Sequence, residues 1–181
     1  MRTKQQHWIS SFVVFGVVLS ILFAAPAVAT AQDQEKGSFL GGVVKGVVFD
    51  PTTYVPAALG YDSTVRDWNT SQTFFQHGFY ERNPRFTISG RANDLPVTYG
   101  EGNKRILIDA LGNLQVSLVN NFTSRIIERS FLDKYPEHSK LIKTLGWIER
   151  SAFAAYMGYV LSEAHYRQWQ YNQNMAVQLG Y

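Results

Sequence analysis

The densest concentration of potentially reactive side chains lies between Asp67 and Pro84, in the run Asp-Trp-Asn-Thr-Ser-Gln-Thr-Phe-Phe-Gln-His-Gly-Phe-Tyr-Glu-Arg-Asn-Pro. Asp67 and Glu81 supply carboxylates, His77 supplies an imidazole and Asn83 an amide. A further imidazole, His165, stands far along the chain. Two carboxylates converging with His77 or His165 could hold a metal through oxygen and nitrogen, or exchange protons with a substrate. One expectation is therefore a metal-dependent hydrolase using Asp67, His77, Glu81 and His165. The plainer expectation is structural, because Asp, Glu and Asn beside a helix end satisfy free backbone amides. No His-Glu-x-x-His spacing is present to favour the metal.

On a helix, Asp67, Thr70 or Ser71, and Phe74 share one face, so Asp67 can address a neighbouring helix. His165 shares a face with Ala154, Leu161 and Trp169, which predicts a half-buried imidazole. Glu163 should pair with Arg167 one turn on, and His138 should face solvent. Beyond Tyr156 the chain interleaves aromatic residues with Gln and Asn. Tyr159, Tyr166, Trp169 and Tyr171, apolar bodies with polar tips, form a candidate interface for a protein or a membrane–water boundary.

Asp67, Thr70, Gly78, Glu81, Asn83 and Pro84 together resemble the D-x-x-T…G-x-x-E-x-N-P pattern of a group of small uncharacterised bacterial membrane proteins. The likeness covers fewer than twenty residues. It implies a helix followed by a turn in an envelope protein, and it brings no catalytic residues.

These residues have to be positioned by helices. From Phe39 to Phe49 the apolar residues fall at helical spacing, but they are β-branched and interrupted by Gly41, Gly42 and Gly46, so helix and strand are evenly matched. Asp50-Pro51 should close that element. A short helix around Pro56 should end at Gly60, with Asp62 or Ser63 capping the next. That next helix turns Val65, Trp68, Gln72 and Phe75 to one side and stops at Gly78. Asn83-Pro84 marks a turn, and Thr87 to Gly102 reads as a long loop. Lys104 to Lys134 predicts an amphipathic helix with Leu107, Leu111, Leu114, Leu118, Phe122 and Ile126 on the apolar face. Pro136 interrupts it, and a second long helix from Glu137 past Gln170 predicts an antiparallel hairpin over residues 104 to 170. The run Ala152 to Leu161 is apolar around the whole wheel, the mark of a helix buried on all sides or touching lipid, and the expectation is a core helix. Ala154, Gly158 and Ser162 form a row of small residues that lets another helix approach. The fold class is thus mainly α, a small bundle of about five helices ending in a long C-terminal antiparallel hairpin.

Residues 1–31 carry an export address. Arg2 and Lys4 precede an apolar run from Phe12 to Ala25, and Ala27 to Ala31 offers small-x-small cleavage sites. The division predicted is a signal peptide over 1–31, a flexible lead-in over 32–38 and a single helical domain over 39–181. The alternative is an uncleaved leader that anchors the chain in the inner membrane. Cleavage would remove two of 17 basic residues and leave 15 against 14 acidic ones, a net charge of +1. With the remaining Lys and Arg scattered, a nucleic-acid partner is not indicated. The absence of cysteine excludes disulfides, thiolate metal sites and thiol nucleophiles. Serine-hydrolase, P-loop, dinucleotide and EF-hand signatures are missing, and no cofactor is implied. The Asn69-Thr70-Ser71 and Asn121-Phe122-Thr123 glycosylation patterns fall inside helices. The resulting expectation is an exported, non-enzymatic interaction or structural protein of the periplasm or cell envelope, with an envelope protein or the membrane surface as partner. Nothing in the sequence sets an oligomeric state.

Overall fold

The structure, a computed structural model, describes residues 39–181, so the leader and the lead-in over 32–38 lie outside the described residues. Four helices make up the described part: α1 (Phe39–Val48), α2 (Val55–Gln76), α3 (Tyr99–Lys134) and α4 (Ser139–Leu179). Three single 3-10 turns, each opened by a proline, join or flank them at Pro51–Thr53, Pro84–Phe86 and Pro136–His138. Proline suits the first position of such turns because its missing N–H has no partner to satisfy there. No strand occurs among the described residues, and two isolated bridges, Glu81 with Asp94 and Thr87 with Pro96, close the loop between α2 and α3.

The helix count corrects the expectation of about five. Gly60 does not end a short helix: its missing side chain lets α2 pass close to Asn113 and Leu161, and the helix continues through it. Asp62, expected as a cap, instead accepts hydrogen bonds from Arg66 and from the Tyr166 hydroxyl. The tie at Phe39 to Phe49 resolves as helix. The third helix starts at Tyr99 instead of Lys104, because Thr98 accepts the Glu101 N–H as its cap. Gly78 does stop α2, with φ +83, and Asn83 opens the next turn by accepting the Arg85 N–H.

α4 is 41 residues long, about 60 Å, and its principal neighbour is α2, with α3 packed against it to a lesser extent. The most extensive contact is therefore α2 against α4, and the expected hairpin of α3 and α4 is not confirmed as the centre of the fold. The row Ala154, Gly158 and Ser162 is buried, and a Cβ on Gly158 would stand 2.9 Å from the Leu59 side chain of α2. Close approach of backbones through small residues explains why this contact is extensive.

Two expectations about burial hold only in part. On α3 the buried positions are Gly102, Ile106, Ser117, Asn121 and Glu128, and of the predicted apolar face Leu114, Leu118, Phe122 and Ile126 are half-buried whereas Leu107 and Leu111 are exposed. On α4 the run Ala152 to Leu161 buries Ala154 and Gly158 but exposes Tyr156, Tyr159 and Val160. The physical reason is common to both. In each case the inward face is taken by residues other than large apolar ones, polar side chains with partners on adjacent helices on α3 and the small Ala154 and Gly158 on α4, which leaves large apolar residues outside.

Candidate functional site

Two clusters bring polar groups of distant sequence together, one at each end of the bundle. The first contains the residues singled out by sequence. Asp67 lies on the fourth turn of α2, and α4 runs past it with His165 and Asn172 on the facing side. His165 Nδ1 stands 2.8 Å from Asp67 Oδ2. A carboxylate only accepts, so Nδ1 carries the proton in that contact. The Asn172 amide, in a buried side chain, donates to Ser71 Oγ at 3.0 Å and Thr70 Oγ1 at 3.3 Å, with Asp67 Oδ1 at 3.4 Å. Gln168, one turn earlier on α4, donates to the Asn172 carbonyl at 2.8 Å. Glu81 completes the group electrostatically. Burial pushes its carboxyl above the ordinary range, the Asp67 charge adds to this, and the Asn83 N–H, bonded at 2.6 Å, together with His165 opposes it.

The structure thus joins Asp67, Glu81 and His165 and leaves out His77, which stacks on the Tyr181 ring at 3.7 Å between centroids and lies 2.8 Å through Nδ1 from the Thr73 carbonyl. Asn83 serves its own turn. Among the described residues no group of three or more His, Cys, Asp or Glu is arranged to hold a metal ion. What the cluster does is tie α2 to α4, through a carboxylate that accepts from an imidazole, a hydroxyl and an amide. Thr70 and Ser71 share the face of Asp67 as expected, and Asn172 is the unanticipated member. Its signal was available in its helical spacing from His165, two turns on.

The candidate interface divides similarly. Tyr159 and Tyr171 are exposed, but Tyr166 donates to Asp62 at 2.8 Å, and Trp169 lies under the Arg66 guanidinium at 4.9 Å. These last two rings are half-buried and take part in the contact between α4 and α2. Glu163 and Arg167 pair as expected, and His138 is exposed.

The second cluster went unrecognised in the sequence. Asp50, read there as the close of the first element, is 5% exposed and receives Arg125 Nη2 at 2.8 Å and Arg150 Nε at 2.9 Å on one oxygen. Its other oxygen accepts the Thr52 hydroxyl and N–H. Arg150, 2% exposed, also reaches Glu128 at 2.7 Å, and Glu128 takes a further contact from Arg125 at 3.3 Å. Two cations and two anions therefore neutralise one another between α1, α3 and α4. Burial alone would raise the Asp50 carboxyl, but the hydrogen bonds from Thr52 and Arg125 and the charge of Arg150 hold it below the ordinary aspartate range. Glycine makes room for these large groups: a Cβ on Gly146 would fall 2.5 Å from Glu128 Oε2, and one on Gly46 3.3 Å from Arg125 Nε. One turn along α3, the fully buried Asn121 amide donates to Thr52 and Thr53 at 2.9 and 2.8 Å. That burial removes Asn121 as a glycan acceptor. Little in the sequence singles it out, because Glu128 stands beside Arg129 and Arg150 beside Glu149, as ordinary surface charges do.

Around this ionic interior the outward faces are apolar. Phe49 is 76% exposed, Trp147 60% and Leu145 56%, with Val48, Ile127, Phe131, Leu141 and Ile148 about half exposed. A shallow cavity of about 290 Å³ at the turn between α3 and α4 is lined by Phe131, Tyr135, His138, Leu141 and Ile142. No described helix is long and apolar enough to cross a membrane. Comparison with protein-family models, with curated proteins and with solved structures finds no match for the chain.

Proposed function

We propose that this protein is a non-enzymatic interaction or structural protein of the cell envelope, which acts by presenting the apolar outer faces of its helical bundle to a partner. The observation that carries the reading is the reversal around Asp50 and Arg150, with charges inside and large apolar side chains outside. Monomeric proteins rarely leave extended apolar surface uncovered, and such surface marks interaction sites. Exposed single hydrophobics are ordinary, but here they recur on α1, α3 and α4 about one ionic centre. The envelope location rests on the leader, with Arg2 and Lys4 before the apolar run Phe12 to Ala25 and a small-residue exit at Ala27 to Ala31.

A metal-dependent hydrolase on Asp67, His77, Glu81 and His165 would need a third ligand beside Asp67 and His165, and His77 is held elsewhere by Tyr181. The interaction reading has a direct test, because the chain contains no cysteine of its own. Single cysteines at Leu145 and Tyr156 should react readily with a membrane-impermeant maleimide in the purified protein and be shielded in native envelope preparations. Equal labelling in both settings would sink the reading.

A further inference from the structure

The end of the bundle built by α1, the last two turns of α3 and the first turns of α4 carries two further properties. The first is charge. Over residues 39–49 and 129–149 the exposed charged side chains are Lys45, Arg129, Lys134, Lys140 and Lys143 against Asp133, Glu137 and Glu149, an excess of two positive charges. Among the described residues none of these four lysines takes part in an ion pair, whereas Asp62, Asp67, Glu101, Asp109 and Glu163, toward the other end, are each paired with a cation or a histidine. Unpaired lysines on flexible stems, interleaved with Phe131, Leu141, Leu145 and Trp147, match the composition of a surface that sits in the boundary between lipid headgroups and acyl chains.

The second property is placement. α1 enters beside Arg129, whose guanidinium lies 5.9 Å over the Phe39 ring, so the described chain begins at this same end. The apolar run Phe12 to Ala25 precedes Phe39 by 13 residues, which reach at most about 45 Å when extended. Wherever the leader is retained, a membrane engaged by that run is within reach of the lysine-rich end. Apolar residues also face outward on all three helices there, which fits a solvent of lipid better than a second copy pressed against one side.

Resting on the interaction reading above, we infer that this end of the bundle docks on an anionic lipid bilayer. Phe49, Leu141, Leu145 and Trp147 enter the headgroup–acyl boundary, and Lys45, Lys134, Lys140 and Lys143 contact anionic headgroups. The ionic centre at Asp50 and Arg150 suits this seat, because its charges are satisfied within the protein and none has to be stripped of water when the end is covered.

The test uses the full chain with a spin label on single cysteines at Phe49 or Leu145, and at Ile88 or Leu107 as equally exposed apolar controls away from this end. Each variant is mixed with vesicles of phosphatidylglycerol and phosphatidylethanolamine. At positions 49 and 145 the ratio of oxygen to nickel-chelate accessibility should rise several-fold, while positions 88 and 107 stay unchanged. Replacing Lys140 and Lys143 by Gln should weaken vesicle binding about fivefold per lysine. Because the readout is local, attachment through the leader alone would leave positions 49 and 145 open to nickel and overturn the proposal. If those labels instead report proximity between two copies without vesicles, lipid is the wrong occupant and the interaction reading stands. If they respond to neither vesicles nor concentration, the lipid proposal falls, and the interaction reading is decided by the maleimide shielding in native envelopes.

Discussion

The two ends of the bundle solve the burial problem in opposite ways. At the Trp68 end the interior is apolar: Trp68, Phe86, Val97 and Ile106 form a cluster, Phe86 stacks on the Trp68 ring at 5.2 Å, and the Trp68 N–H donates to the Tyr99 carbonyl. The surface around it carries paired charges, such as Arg85 with Asp109 at 2.6 Å. At the Asp50 end the interior is a four-membered ion network and the surface is largely apolar. An apolar core is held by the expulsion of water and tolerates change in proportion to the volume altered. An ionic core depends on every member being present, since a single deletion strands a charge. The difference teaches that the two ends are vulnerable in different ways, one to a change of volume and the other to the loss of a partner.

The sharpest way to break this comparison is Arg150→Met. It leaves Asp50 and Glu128 buried with only Arg125 to compensate, and should cost about 3–5 kcal/mol in denaturant unfolding. A loss below about 1 kcal/mol would mean that the network is screened like a surface pair, and the contrast between the ends would disappear. At the opposite end Gly102→Ala tests packing alone. The new Cβ would fall 2.3 Å from the Trp68 ring, and the rigid indole has little freedom to yield. A loss of about 1–3 kcal/mol is expected, with thermal unfolding as the measurement. An unchanged midpoint would show that this core is loose.

The smallest effect separates the ends by the sign of their pH dependence. The Asp50 carboxyl is held low, so its contribution is present above the ordinary aspartate value near about 3.9 and is lost as pH falls through the folded value. The Glu81 carboxyl is held high by burial, so it opposes folding increasingly as pH rises from about 4.3 through the folded value. Stability curves recorded from pH 3 to 7 should therefore diverge. Asp50→Asn falls progressively below the parent protein as pH rises, and Glu81→Gln climbs above it. Parallel curves would remove the electrostatic part of the contrast.

Local signals carried part of this structure into the sequence. Gly78 and Asn83-Pro84 marked the end of α2 because positive φ and the restriction before proline act within a few residues. The face of Val65, Trp68 and Phe75 was visible because apolar residues at that spacing do meet an apolar core. The same rule failed in part on α3, where Ile106 rather than Leu107 or Leu111 turns into the apolar core and Asn121 and Glu128 stand inside at the other end. Hydrophobic periodicity assumes that the interior is apolar, and around Asn121 and Glu128 it is not. In the candidate site, Asp67 and His165 were legible as helix-facing groups, but their meeting across 98 residues was not. His77, much closer to Asp67 in sequence, was captured by the C-terminal tyrosine instead.

The sequence by itself determined the mainly helical content, the turns at Gly78, Asn83-Pro84 and Pro136, the row of small residues along α4 and the absence of any cysteine chemistry. Each follows from interactions over a turn or two, or from composition. Only the tertiary structure decided which face of each helix is inside, because a lone Asp50, Glu128 or Arg150 is far too costly to bury and becomes an interior residue solely through the partners that the fold brings to it.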